Sequence, residues 1–155
     1  MIKPICFIAV FFGASCSYWA DAACGKGSKT VFHCLTDKGK AIELCDSGRT
    51  MDYSFGTPGK KTEIALRVPR NKATTYQWKG YGRTHCYSVE IPNGNTTYSI
   101  FWHLDTGLVG TEENPESAGV NVEIEKKHVA TVKCAENDLN IIQYLEGIDL
   151  EPTEE

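Results

Sequence analysis

Apolar and polar residues alternate with a period of two along most of the chain after residue 22. The alternation is clearest where Ile64, Leu66 and Val68 fall on one face, which is typical of a strand with one buried side. Successive segments of this kind are bounded by glycine, proline, asparagine and aspartate. We predict strands at Thr30–Thr36, Lys40–Cys45, Met51–Phe55, Thr62–Val68, Thr75–Lys79, His85–Ile91, Tyr98–Leu104, Val120–Ile124 and Lys127–Cys134.

Turn signals separate these strands and favour antiparallel neighbours. Asp37-Lys38-Gly39 and Pro92-Asn93-Gly94 each lie between two predicted strands, as expected of hairpins. The sequence therefore predicts an all-β fold, a small antiparallel β-barrel or sandwich of about eight or nine strands. Asn137–Leu145 is the one segment that could form a short helix, and Asp105–Ser117 is the longest polar connection.

The first 22 residues have the pattern of a secretory signal peptide. A lysine at position 3 precedes the apolar run Ile5–Phe12, and Ala20-Asp21-Ala22 supplies small residues for cleavage after Ala22. The apolar run is too short to cross a bilayer. We expect a periplasmic or secreted protein without a transmembrane segment, and the alternative is a lipoprotein modified at Cys16.

Export changes the meaning of the cysteines, because thiols pair in oxidising compartments. Five remain after the leader: Cys24, Cys34, Cys45, Cys86 and Cys134. They allow two disulfide bonds and one leftover thiol. A Cys34–Cys134 bond would enclose the longest loop and constrain the unfolded chain most, and the other three then compete for the second bond. No cysteine and histidine spacing fits a metal site, so we expect no metal and no cofactor.

Charge divides the chain after residue 134. Residues 23–134 hold 15 Lys and Arg against 12 Asp and Glu, a net of +3, whereas residues 135–155 hold none against 7, a net of −7. We therefore divide the protein into a signal peptide at 1–22, a β domain at 23–134 and an acidic C-terminal tail at 135–155. Such a tail is usually solvated and poorly ordered. The overall net charge of −4 gives no reason to expect a nucleic-acid partner.

Catalytic motifs are not apparent. The four histidines lie on predicted strands, and His33 and His128 have no carboxylate at a useful spacing. His85 and Cys86 point to opposite faces of one strand. Neither a nucleophile elbow nor a phosphate loop occurs. We expect a binding protein rather than an enzyme.

Two loops are the best candidates for binding a partner. The first contains Asn93, Gly94, Asn95 and Thr96 and leads to Tyr98; the second contains Ser47, Gly48 and Arg49. Both combine polar side chains with a tight turn, and a rigid turn loses little entropy on binding. The alternative is that both are only turns.

The order of these features resembles the periplasmic and membrane-bound lysozyme inhibitors of Gram-negative bacteria, of both the C-type and i-type groups, and related exported bacterial proteins. The resemblance covers Phe32–Cys134. It consists of the leader, His33-Cys34, the Gly39-Lys40 hairpin, Tyr53–Gly56, Glu63 to Leu66, the Gly94-to-Tyr98 turn, and the segment from Gly119-Val120 through Lys126-Lys127 to Cys134. In those families a Ser-Gly-x-x-Tyr-like turn enters the lysozyme cleft. The resemblance implies that Asn93-Gly94 and Tyr98 act in its place.

We therefore expect a protein partner, a lysozyme or another hydrolase or toxin, whose active-site cleft is blocked by a rigid loop. The alternatives are an immunity protein that neutralises a toxin delivered to the periplasm and an envelope-associated structural domain. An edge strand such as Thr75–Lys79 could also pair with a second copy in a homodimer.

Overall fold

A computed structural model describes residues 24–136, 138 and 141–153; the signal peptide predicted at 1–22 lies outside these residues. They form eleven strands and one short 3₁₀ turn at Arg70–Lys72. The strands are β1 Lys29–Leu35, β2 Ala41–Asp46, β3 Thr50–Gly56, β4 Ile64–Pro69, β5 Thr74–Gln77, β6 Thr84–Asn93, β7 Thr96–Asp105, β8 Glu116–Ile124, β9 Lys127–Lys133, β10 Ile142–Gln143 and β11 Glu151–Pro152. No helix in the described part of the chain is long and apolar enough to cross a membrane.

The strands form two sheets. Sheet A has the order β10-β1-β2-β3-β4, and sheet B has the order β11-β5-β6-β7-β8-β9. Strands β1–β4 and β5–β9 each form an antiparallel meander of consecutive strands, to which β10 adds beside β1 and β11 adds in parallel beside β5. The 3₁₀ turn links the two meanders. The architecture is thus a sandwich rather than a closed barrel, which confirms the predicted all-β fold.

Side chains from both sheets meet in one core. Phe32, Ile42, Leu44 and Tyr53 of sheet A lie against residues of sheet B such as Ile100, and all are at most 2% exposed. The inward positions are those that the period-two pattern predicts. Val31 and Phe32 are both buried although they are neighbours, because the β1–β2 register shifts between Thr30 and Phe32.

All nine predicted strands are present, and the largest difference in their bounds is at β8. It begins at Glu116 instead of Val120, because the polar residues Glu116 and Ser117 continue the ladder opposite Leu104 and His103. The connection predicted over Asp105–Ser117 is correspondingly shorter.

The C-terminal residues 141–153, here called the closing segment, differ from the prediction. Ile142–Gln143 forms β10 beside β1, so the helix expected over Asn137–Leu145 is wrong for the described part of that range. Leu145 is fully buried, and β11 pairs in parallel with β5. The expectation of a solvated, poorly ordered acidic end is therefore wrong for the closing segment, which packs on both sheets.

The pairing of β11 also corrects the role of β5. The sequence suggested Thr75–Lys79 as an edge strand available to a second copy. Glu151 and Pro152 instead lie opposite Thr74 and Thr75, so β5 is an interior strand of sheet B.

Two disulfides join distant parts of the fold. Cys34–Cys134 links β1 of sheet A to the residue after β9 of sheet B, and Cys24–Cys45 ties the chain before β1 to β2. Cys86 is the free cysteine of the described residues. The predicted two bonds and one leftover thiol are confirmed, and such bonds are typical of proteins in oxidising compartments.

Candidate functional site

The first predicted loop is the two-residue turn between β6 and β7. Asn93 pairs with Thr96, and Gly94 has a φ of 64°, so the turn is of type II′, in which glycine is favoured at the first central position. Asn93, Gly94 and Asn95 are exposed, and Thr96 is partly exposed. The side chain of Asn93 has no hydrogen-bond partner among the described residues, so its amide is available to a partner.

This hairpin continues beyond the neighbouring strand β5. Thr74, the first residue of β5, pairs with Glu90, so the last three residues of β6 have no partner on that side. On the other side β7 remains paired with β8 as far as Thr96 and Ile124. The uncharged turn is thus exposed but supported along one flank.

Tyr98 supports the hairpin from inside. It is partly buried, packs against the core, and its ring lies 5.2 Å from that of Tyr53 at a tilt of 34°. Burial raises the pKa of the Tyr53 hydroxyl above its usual range. The expectation that the turn presents Tyr98 to a partner does not fit this position, because the ring faces the core.

A second turn lies beside the first. Glu125 and Lys126 connect β8 to β9 with φ values of 51° and 62°, the pattern of a type I′ turn formed without glycine. The Glu125 N–H donates to the carbonyl oxygen of Asn95 at 2.8 Å. The two turns therefore form one ridge, with uncharged residues on one side and charged residues on the other.

The second predicted loop is a turn held by its own side chains. Ser47 Oγ accepts the Thr50 N–H at 2.9 Å, and Asp46 Oδ1 accepts the Gly48 N–H at 2.7 Å. Asp46 also pairs with Arg70 at 3.2 Å. The hydroxyl of Ser47 is occupied within the turn, whereas the exposed Arg49 guanidinium has no partner among the described residues.

The two predicted loops lie toward one end of the molecule, here called the tip end. Arg70 donates its N–H to Arg49 at 2.9 Å, and the chain then enters β5 at Thr74, opposite Glu90. Because β5 and β6 are antiparallel, residues before Thr74 lie beside those after Glu90, in the direction of Asn93. The fold thus brings the two sequence-predicted loops to the same end.

Away from the tip end, the closing segment borders an open aromatic groove of about 530 Å³ that sequence reasoning missed. Tyr87 and Trp102 are paired in register with nearly parallel rings, and Trp78 stacks on His85 at 3.7 Å. The Tyr87 hydroxyl donates to Glu146 Oε1 at 3.1 Å. The period-two pattern places each ring on the apolar face of its strand. It does not predict which strands pair or in what register, and it is this pairing that brings the rings together.

A second cavity, of about 340 Å³, is lined by Trp102 of β7 together with residues of β8 and of the closing segment. Glu116, Gln143 and Tyr144 contribute to its lining. The Oε1 atom of Gln143 is buried and has no hydrogen-bond partner in the described part of the protein. This cavity is called the Trp102 pocket below.

Cys86 and His103 are directly opposite one another on the outer face of sheet B, a pairing that only the register reveals. Burial raises the pKa of the Cys86 thiol and lowers the pKa of the His103 imidazole. Both shifts favour the neutral forms, whereas an activated nucleophile needs a thiolate beside a cationic imidazolium. The pair therefore has the electrostatics of a structural contact.

Within the described residues, Cys24, Glu43 and Cys45 have ligand-type atoms close enough to surround a cation. The two sulfurs are joined to each other as a disulfide, so they offer no thiolate to a metal.

Comparisons with known proteins add no assignment to this geometry. The chain matches no protein-family model, and neither the curated proteins nor the solved structures give a significant match. The fold and the site therefore describe a disulfide-linked β-sandwich. The β6–β7 and β8–β9 turns form a polar ridge at one end, and aromatic cavities lie beside the closing segment.

Proposed function

We propose that this protein is a periplasmic or secreted inhibitor that blocks the active-site cleft of a lysozyme with the β6–β7 turn. The observation that carries the proposal is the exposed, uncharged turn Asn93–Thr96, which is tied to the next turn by the Glu125 N–H and supported from inside by Tyr98. A preorganised turn of this kind loses little conformational freedom on binding.

The chemistry of the turn suits a glycosidase cleft. Lysozymes cleave glycans with two carboxyl groups, one of which is kept protonated as the acid. The side-chain amides of Asn93 and Asn95 can donate hydrogen bonds to these groups, whereas the Thr96 hydroxyl donates within the turn to Asn95 Oδ1 at 3.4 Å. Arg49, exposed at the tip end, adds a positive charge that complements an ionised carboxylate.

Charge also bears on how the partners approach each other. Glu146, Asp149 and Glu151 are exposed on the closing segment, away from the turn itself. A basic lysozyme would be attracted by this acidic region, so association should slow as salt is added. The proposal is one of binding alone, without turnover of a substrate.

The test is inhibition of C-, g- and i-type lysozymes by the oxidised mature protein. We expect inhibition of at least one type, and Asn93→Ala with Asn95→Ala should raise its inhibition constant about tenfold, as loss of central contacts does. Lys38→Ala, in the exposed β1–β2 turn at the other end of sheet A, is the matched control and should change nothing. Absence of inhibition of every type at micromolar protein would overturn the proposal.

Tyr98 provides an independent check of how the turn is held. Tyr98→Phe keeps the ring on Tyr53 and should inhibit normally. Tyr98→Ala should lower the free energy of unfolding by about 3 kcal/mol, as loss of a packed ring does. It should also weaken inhibition by loosening the turn. Strong loss of inhibition in Tyr98→Phe at unchanged stability would instead assign the hydroxyl to the partner contact.

A further inference from the structure

Three of the four sheet edges in the described part of the chain are protected against pairing with another strand. β10 and β11 have two residues each, too few for a ladder of their own. β9 is interrupted by a shift in its register with β8 between Val122 and Glu123. Pairing β9 with a copy of itself about its middle residue would also set Lys127 against Lys133. Short strands, bulges and lysines are common means by which natural sheets prevent edge-to-edge pairing.

The fourth edge, β4, lacks these features. It has six residues, and its register with β3 is regular along its whole length. Its one charged residue is Arg67, whose guanidinium donates to Asp52 Oδ1 at 3.2 Å and to Asp52 Oδ2 at 2.9 Å, so the charge is balanced within the chain. Its one proline, Pro69, is the last residue and ends the strand without interrupting it. An edge strand of this kind is a template for a further strand.

The main-chain groups that β4 leaves free follow from its ladder with β3. The Arg70 N–H donates to the Arg49 carbonyl oxygen at 2.9 Å, and the register continues from there along both strands. Because every second residue of an antiparallel ladder exchanges hydrogen bonds with its neighbour, Leu66 is bonded to β3 as Arg70 is. Ala65 and Arg67 therefore direct their N–H and C=O groups to the open side, where no described residue pairs with them.

The side chains of β4 are self-complementary about Leu66. A second β4, lying antiparallel with its Leu66 opposite the first, places Arg67 of that copy opposite Ala65. It also places Val68 of that copy opposite Ile64. Each of the two Ala65–Arg67 pairs exchanges two hydrogen bonds, so the free main-chain groups of these residues are all satisfied. Leu66 and Ile64, which are partly exposed at the border of the core, gain apolar cross-strand neighbours, and no two like charges lie directly opposite.

We propose that two copies of this protein form a homodimer by pairing β4 with β4, so that the two five-stranded sheets A become one continuous sheet. A second copy is the occupant that the strand itself specifies, because its free main-chain groups and its apolar side chains match in the same register. The contact is isologous, as in most dimers of identical chains. Four main-chain bonds and one row of side chains form a small interface, so we expect a dissociation constant on the order of 100 μM.

The homodimer is independent of the lysozyme proposal. Antiparallel pairing directs the tip ends of the two copies away from each other, so both polar ridges remain free.

Sedimentation equilibrium of the oxidised mature protein tests the association, with Cys86→Ser so that no disulfide can link two copies through this thiol. Between about 10 μM and about 1 mM, the average mass should rise from that of one chain toward that of two. A mass of one chain throughout would overturn the proposal and leave the β4 edge to an extended segment of a different protein. Growth beyond two chains would also overturn it, because a twofold contact is complete in the dimer.

Hydrogen exchange locates the contact on the main chain. In the monomer the Ala65 and Arg67 N–H groups should exchange rapidly, whereas the Leu66 N–H is bonded to β3 and should exchange slowly. At about 1 mM, where most chains are paired, exchange at Ala65 and Arg67 should slow about fivefold, and exchange at Leu66 should not change. A dimer in which Ala65 and Arg67 exchange as they do in dilute solution would use another surface, contrary to the proposal.

A proline variant removes one of the free donors. Ala65→Pro eliminates the outward N–H and leaves the ladder with β3 intact, so the variant should fold and remain monomeric. Its circular dichroism spectrum and melting temperature check the fold. A folded Ala65→Pro protein that dimerises as the wild type does would overturn the proposal.

Two charge variants test the register without a proline. Ala65→Glu faces Arg67 of the second copy and should lower the dissociation constant about threefold, whereas Ala65→Lys should raise it about threefold. Ala130, an exposed alanine on the β9 edge, supplies the matched controls, and Ala130→Glu and Ala130→Lys should leave the constant unchanged. Shifts of the same sign in both Ala65 variants, or equal shifts in the Ala130 variants, would overturn the pairing of β4 with β4.

Discussion

Some side chains on the outer face of sheet B are buried, although the period-two pattern places them on the face away from the core. Phe101 is only 6% exposed although its neighbours Ile100 and Trp102 face the core. It lies opposite Gly119, where a side chain would collide with the Val132 carbonyl oxygen, so the ring covers bare backbone. The Phe101 ring also lies 4.9 Å from the His103 ring, and Glu90 lies on the same face of the sheet.

Glu90 gives a prediction with a definite pH dependence. Burial raises its pKa above the ordinary 4.5, so the folded state binds this proton more tightly than the unfolded chain does. Stability therefore falls as pH rises through this raised pKa. Glu90→Gln keeps an acceptor for Thr74 and should raise the free energy of unfolding at pH 7 by about 0.5 kcal/mol, a small gain because the side chain remains partly exposed.

Urea unfolding at pH 7 and at pH 3.5 measures this effect. The stabilisation should disappear at the lower pH, where the wild-type carboxyl is protonated in both states. Glu112→Gln, at an exposed carboxyl in the connection between β7 and β8, is the control for loss of charge alone. A gain from Glu90→Gln that persists at pH 3.5 would show that the charge is not its cause.

At the level of single residues, the period-two pattern and the loop hypothesis predict opposite positions for the Tyr98 ring. Tyr98 alternates with Ile100 and Trp102, and that spacing already places its ring on the core face. Asn93, Gly94 and Asn95 could be predicted as an exposed turn from residue type alone. The Trp102 pocket could not, because it depends on which strand lies beside β7 and on where the closing segment passes.

The β8–β9 turn is the element whose backbone least suits its residues. Glu125 and Lys126 occupy the left-handed region, which costs roughly 1 kcal/mol for each residue other than glycine or asparagine. Replacing them by Asn-Gly, the preferred pair of a type I′ turn, should raise the free energy of unfolding by about 1–2 kcal/mol. Urea unfolding measures the gain.

The Asn-Gly variant also tests whether the β8–β9 turn holds the β6–β7 turn in place. Asn-Gly keeps the N–H that donates to Asn95, so inhibition of a lysozyme should remain, provided that the charges of Glu125 and Lys126 make no contact with the enzyme. The reversed pair Gly-Asn is the control for composition. A variant no more stable than the wild type would mean that the native turn relieves its strain through contacts of the two side chains.

At the level of elements, long strands could be predicted and short ones could not. β6 and β7 have ten residues each, enough for the period-two pattern and a glycine turn to define them. β10 and β11 have two residues each, and no period can be recognised in two positions. Their pairing arises from tertiary packing of Leu145, Ile148 and Leu150 on the core, which only the folded molecule shows.

The two disulfides constrain the whole molecule to different degrees. Cys34–Cys134 spans 100 residues and Cys24–Cys45 spans 21. In the chain-entropy description, replacing the first pair by alanine should cost about 5 kcal/mol and replacing the second about 3 kcal/mol. Urea unfolding of the two double variants checks the order, with Cys86→Ser in both to prevent new pairing. Equal losses would indicate that native packing, rather than loop length, sets the contribution of each bond.

The closing segment is part of the fold, although it belongs to the acidic residues 135–155 that the sequence predicts as a tail. Leu145 is fully buried, its carbonyl accepts the Gln77 amide at 2.9 Å, and β10 and β11 cover one edge of each sheet. A chain ending at Glu136 should therefore lose several kcal/mol of stability, of which Leu145→Ala alone should account for about 3 kcal/mol. Asp149→Asn with Glu151→Gln removes two exposed charges and should leave stability nearly unchanged. If the charge variant were destabilised and Leu145→Ala were not, the segment would be held by electrostatics, and its stability would then fall with added salt.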